Sequence, residues 1–242
     1  MKKVMVLLAV MALYATAASA VGCDFNFNAC PGGVGSATDA TIDCAGGDAV
    51  LGYITFQPAE AIPDLVGFDS IIDITVAGDV SGAANFWDFS SVNAGALSVS
   101  LPRPAAICNA YASVWGVAGS TESHSALVFS SIPNHVRIAV GANRPTDFAC
   151  TLNQKIFGCS LTIDASTSVE AGGSTNGCEL PAWLALTQLI PQSRTNGPAS
   201  PLVDPSANVN TCSHINGDVT QCRELFDPTL RHTWGRLKSL YR

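Results

Sequence analysis

Residues 62–79 read IPDLVGFDSIIDITVAGD, and their side chains alternate with a period of two. Phe68, Ile72, Ile74 and Val76 make one apolar set, while Asp69, Asp73 and Thr75 fall on the other face with Ile71. An amphipathic helix would repeat near 3.6 residues, so this alternation of β-branched side chains requires a half-buried strand. The expectation is a turn at Pro63, Asp64 and Gly67, then a central strand of an all-β core, then a closing turn at Gly78-Asp79. The pattern also puts two carboxylates on one face, which makes this strand the first place to look for chemistry.

Weaker versions of the same pattern recur along the chain. Phe25 and Phe27 alternate with Asp24, Asn26 and Asn28 before a turn at Pro31-Gly32-Gly33. Residues 49–56 form a second strand, ended by Pro58. Residues 85–89 (NFWDF) read as a strand or strand end with aromatic cover. Residues 96–101 set Leu97, Val99 and Leu101 against serines and stop at Pro102 and Pro104. Residues 125–130 and 135–142 flank a turn at Ile132-Pro133-Asn134, with Val136, Ile138 and Val140 pointing one way and Arg137 the other. Residues 153–163 and 182–190 complete the set, the last bracketed by Pro181 and Pro191, and residues 192–205 read as a surface loop. Eight to nine short strands between Gly/Pro turns point to an all-β fold, an antiparallel β-sandwich or jelly roll.

The two ends differ from this body. Lys2-Lys3, the apolar run 4–12 and Ala18-Ser19-Ala20 together read as a secretory signal peptide over residues 1–20. The apolar run is too short for a membrane span, so the expectation is a secreted, periplasmic or cell-surface protein without a transmembrane segment. At the other end Asp227-Pro228 suits a helix start, and Leu230, Trp234, Leu237 and Tyr241 recur at helical period. Arg236, Lys238 and Arg242 sit off that stripe, where a helix dipole favours cations. Three parts follow: the signal peptide, a β-sandwich domain over 21–222, and a basic amphipathic tail over 223–242. Without Lys2 and Lys3 the chain holds ten basic and nineteen acidic side chains. Five of the ten lie after Cys222, so the body is strongly acidic and repels nucleic acid and anionic lipid.

The ending Thr233-Trp234-Gly235-Arg236-Leu237-Lys238-Ser239-Leu240-Tyr241-Arg242 resembles a C-terminal run shared by uncharacterised secreted proteins of environmental bacteria. Gly177-Cys178 followed by Pro181 and an apolar strand is similar to those chains as well. The resemblance implies export and a β-rich body. It carries no catalytic residue, and where related chains place a second cysteine after the proline this one has Ala182. A tail carrying Trp234, Gly235, Leu237, Lys238, Tyr241 and Arg242 is a candidate sorting or docking element.

The nine cysteines, behind a signal peptide, read as disulfide partners rather than metal ligands. Candidates are Cys30, Cys44, Cys108, Cys150, Cys159, Cys178, Cys212 and Cys222, with the local pairs Cys30–Cys44 and Cys212–Cys222 the cheapest to close. Cys23, in Ala20-Val21-Gly22-Cys23, is the odd one, with lipidation as the alternative to ordinary cleavage before Val21.

Function is read from what remains. Asp69 and Asp73 stand ~13 Å apart at ~3.3 Å per residue, beyond the about 5–9.5 Å of glycosidase carboxylate pairs. A solvated strand face is the expectation for both. Asp39, Asp43 and Asp48 near Gly46-Gly47 form a speculative calcium site. Trp87, Phe89, Tyr111 and Trp115 are candidates for a sugar-stacking platform, weighed against core packing. No G-x-S-x-G or H-E-x-x-H motif occurs. The function expected is therefore binding or structural and non-catalytic, with no required cofactor. A carbohydrate-binding module and an unrecognised extracellular hydrolase are the alternatives.

Overall fold

The computed structural model describes residues 22–80, 85–91, 93–128, 134–202 and 212–217. The signal peptide, Cys222 and the whole basic tail with its expected helix lie outside the described residues. Among the described residues, eleven strands form two sheets. The smaller runs in the order β1 (Gly22–Phe27), β3 (Ala49–Gln57), β8 (Ile156–Asp164) and β5 (Leu97–Ser100), antiparallel throughout. The larger runs β2 (Asp39–Ala40), β11 (Cys212–Ile215), β9 (Ala182–Ser193), β4 (Ile62–Val76), β7 (His135–Cys150) and β6 (Thr121–Val128). A short β10 (Gly197–Pro198) pairs with β9, and among these described strands β2 and β11 are the one parallel pair.

Strand β4 is the middle of the larger sheet, as its alternation requires. It pairs with β7 from Ile62 to Thr75 on one side and with β9 from Leu65 to Val76 on the other. Phe68, Ile72, Ile74 and Val76 are all buried on the inner face. The smaller sheet meets them with Phe25, Phe27, Ile54, Phe56 and Leu161, also buried. Phe68 joins the layers: its ring lies 5.8 Å from Phe56 in the smaller sheet and 5.5 Å from Trp115. The result is a β-sandwich.

Local details depart from the sequence reading. Pro63, Asp64 and Gly67 are not a turn but part of β4, where two register shifts absorb them. Asp64 is fastened there by the Ser193 hydroxyl and by the Thr195 backbone N–H, 2.6 Å from its Oδ2, so it holds the β9–β10 hairpin against β4. That hairpin occupies the start of the segment expected as a loop, and β9 runs through Pro191 to Ser193. Residues 85–89 are not a strand. They form a turn with a single bridge from Asn85 to Asn176, and Phe86, Trp87 and Phe89 pack edge-to-face beneath it.

Two disulfides lie wholly within the described residues, and both are long-range. Cys30 pairs with Cys108 and Cys44 with Cys178, across 78 and 134 residues of sequence. The expected Cys30–Cys44 bridge is therefore wrong: strand order brings distant loops together, and sequence proximity does not decide the pairing. Loops of that size correspond to about 4–5 kcal/mol each in the chain-entropy account. Cys212 is also disulfide-bonded. Cys150 and Cys159, expected as partners, are free and buried, as is Cys23. Burial pushes the Cys150 thiol up to about 11 and raises those of Cys23 and Cys159 further. Cys23 sits inside β1 opposite Phe56 and is 1% exposed.

Two outcomes check this packing. Replacing Phe68 by Ala should cost about 3–5 kcal/mol in chemical denaturation, because it opens a cavity between the sheets. Thiol-reactive probes should label Cys23, Cys150 and Cys159 only on unfolding. A loss below about 1 kcal/mol for Phe68→Ala would show that the sheets do not share this core.

Candidate functional site

The sequence candidates for ligand stacking are all in the core. Trp87, Phe89, Tyr111 and Trp115 are between 0% and 7% exposed. Each polar handle is also committed: Trp87 Nε1 donates to the Gly177 carbonyl, Trp115 Nε1 to that of Phe157, and the Tyr111 hydroxyl to that of Pro31. The aromatic platform is thus corrected to core packing, the outcome that large apolar area favours. Asp39, Asp43 and Asp48 do not converge either. No group of three His, Cys, Asp or Glu side chains able to hold a metal is assembled among the described residues. Asp43 instead accepts the Gly46 N–H at 2.9 Å and shapes its own turn.

Polar side chains do gather on the outer face of the larger sheet. Strand alternation and register put Asp69, Ile71, Asp73 and Thr75 of β4 on that face. Across from them on β7 stand Gly141, Ala139, Arg137 and His135 in the same order. Strand β6 adds Ser123 opposite Gly141 and Ser125 opposite Ala139, and β9 adds Gln188 and Gln192. Two different environments result on one strand.

At one end, Asp73 is locked. Its side chain is 9% exposed, and Arg137 reaches it twice, Nε to Oδ1 at 2.8 Å and a terminal nitrogen to Oδ2 at 3.1 Å. His135 Nε2 lies 3.0 Å from Oδ1, and the Thr187 hydroxyl donates to Oδ2 at 2.8 Å. Thr187 reaches Asp73 because the β4–β9 register shifts between Ile71 and Ile72. Burial alone pushes the Asp73 carboxyl up; the bonds from His135, Arg137 and Thr187 outweigh it and hold the group well below the usual carboxylate range. The expected solvated face is wrong for Asp73. A carboxylate with this many donors is fixed in charge and place, which suits register and not proton transfer.

At the other end, Asp69 is exposed over a shallow depression of about 380 Å³. Gln192 Nε2 donates to Asp69 Oδ2 at 2.7 Å and orients the carboxylate. The floor is Gly141 and Ala139; Ile71, Ser123, Ser125 and Gln188 are among the other lining residues. Gly141 matters because it has no side chain: a Cβ there would stand 3.1 Å from Asp69 Oδ1 and 3.2 Å from Ser123 Oγ. The carboxylate and the hydroxyl therefore converge on a cleared floor. This set offers acceptors at Asp69, donors and an acceptor at Gln188, and two hydroxyls, over small apolar area. It can hydrogen-bond a neutral, hydroxyl-bearing ligand.

Sequence reasoning named Asp69 and Asp73 but missed what separates them. His135, Arg137 and Thr187 around one, and Gly141, Ser123, Ser125, Gln188 and Gln192 around the other, come from three other strands. The available signal was the parity of Arg137 and of Gly141 against the apolar run Val136, Ile138 and Val140. Replacing Asp73 by Asn should cost on the order of 2 kcal/mol at neutral pH. Because the folded carboxyl is depressed, its stabilisation is complete above the ordinary carboxylate range and fades as pH falls toward the folded value. Denaturation in acid should therefore bring wild type and Asp73→Asn together; a constant gap across that range would contradict the assignment. Comparison with known protein families, with curated proteins and with solved structures finds no match to this chain.

Proposed function

We propose that this protein is an exported, disulfide-stabilised, non-catalytic binding protein whose ligand surface is the depression over Gly141. The observation that carries the reading is the convergence of Asp69 and Ser123 on a glycine floor, with Asp69 oriented by Gln192. Lys2-Lys3, the apolar run and Ala18-Ser19-Ala20 support export, and two long-range disulfides suit an oxidising compartment.

A neutral polyhydroxylated ligand, a saccharide above all, fits the donors and acceptors present. The acidic body works against anionic ligands. The depression reaches the lower part of the about 300–1,000 Å³ typical of small-ligand sites, and its openness to solvent suits a shallow contact with an extended chain. Non-catalytic action is supported by the engagement of Asp73 with Arg137 and by the spacing of Asp69 from it along β4, ~13 Å for four residues.

Glycan-array screening of the mature protein, repeated with Gly141→Val, tests this. The valine suits a strand, so the fold should persist, while its branches fill the space between Asp69 and Ser123. Binding should fall at least about tenfold, ~1.4 kcal/mol. Undiminished glycan binding by a folded Gly141→Val protein would remove the depression from the reading, and a blank array with wild type would remove the ligand class.

A further inference from the structure

The larger sheet ends at β6, whose eight residues, Thr121 to Val128, are exposed or half-buried throughout. One side of β6 is paired without a register shift to β7, from Thr121 opposite Asn143 to Val128 opposite Val136. Among the described residues, the other side is the end of the sheet. Alternate residues there present their N–H and C=O groups outward, a template for another strand. Proteins blunt such edges with Lys, Pro, a bulge or a very short strand. Of the other sheet ends, β2 has two residues and β5 four, while β1, with six, is buried almost throughout. TESHSALV contains neither Lys nor Pro, its pairing is continuous, and it is twice as long as β5.

The side chains specify what fits. Glu122 and His124 lie two apart, on one face of β6, and neither is in an ion pair among the described residues. An antiparallel pairing of β6 with itself about a two-fold axis at Ser123 puts Glu122 opposite His124 of the second copy, and His124 opposite its Glu122. On the other face the same register puts Thr121 opposite Ser125. Moving the axis to residue 122 sets Glu122 against its own copy, and moving it to 124 sets His124 against its own. A Glu carboxylate opposite an imidazole and a Thr opposite a Ser each favour a cross-strand contact by hydrogen bonding, and two opposed carboxylates disfavour it. Self-complementarity about one residue is the signature of an isologous interface.

We propose that β6 is a self-association edge, and that two copies of this chain join through it into one continuous sheet with the axis at Ser123. Ser123 also lines the depression, so the dimer brings two depressions onto a common outer face. Their Asp69 residues, five strand spacings apart, stand ~24 Å from each other at ~4.8 Å per spacing. The association is independent of what the depressions bind.

Sedimentation of the mature protein with charge-swapped variants tests the proposal, because both side chains are exposed and neither is needed for the core. Wild type should have twice the monomer mass. His124→Glu, which sets Glu against Glu122 of the second copy, should halve it. The double variant Glu122→Lys/His124→Glu opposes unlike charges and should return to the doubled mass. A monomeric wild type, a dimer indifferent to His124→Glu, or a double variant that stays monomeric would each overturn the proposal.

Discussion

The register of β4 is the constraint on which the rest of the sandwich depends. Its side-chain period is two, so a slip of one residue against β7 and β9 would send Phe68, Ile72, Ile74 and Val76 to the outside and bring Asp69 and Asp73 into the core. Each large apolar side chain contributes about 1.5–3 kcal/mol by burial, and an unpaired buried carboxylate costs more still. The Asp73–Arg137 pair reinforces the same register from the outer face. Core packing and a polar lock thus specify one alignment from opposite sides of the sheet.

That alignment turns two equivalent carboxylates into groups with different roles. Asp69 and Asp73 are four residues apart on one face of one strand. Opposite Asp73 stands Arg137, with His135 and Thr187 alongside; opposite Asp69 stands Gly141. The first carboxylate is consumed by its neighbours. The second is oriented by Gln192 and left facing a floor that carries no side chain. A single choice on β7, arginine or glycine, decides whether a carboxylate on β4 is structural or available to a ligand.

Much of this architecture was legible where a strand has one buried face. The alternations around Phe25, Phe68, Leu97 and Val136 located β1, β4, β5 and β7, because burial on one side writes period two into the sequence. Proline and glycine were less reliable guides. Pro63 and Gly67 mark bulges inside β4 rather than a turn, and Pro191 lies within β9. Residues 85–89 have strand composition but form a turn, since their aromatics are buried by tertiary contacts and not by a ladder. The partners of Cys30 and Cys44 were illegible for a similar reason: strand order, and not separation along the chain, places Cys30 by Cys108 and Cys44 by Cys178. The depression over Gly141 is assembled from four strands, so no single segment announces it.

The central claim is that the outer face of the larger sheet, at Asp69, Ser123 and Gly141, is where this protein meets its ligand. Amide chemical-shift mapping during titration with saccharides of increasing length tests it most directly. The shifted amides should cluster on Asp69, Ser123, Ser125, Gly141 and Gln188 while those around Asp73 and Arg137 stay still. Shifts confined to another face, with these amides unmoved under saturating ligand, would contradict it.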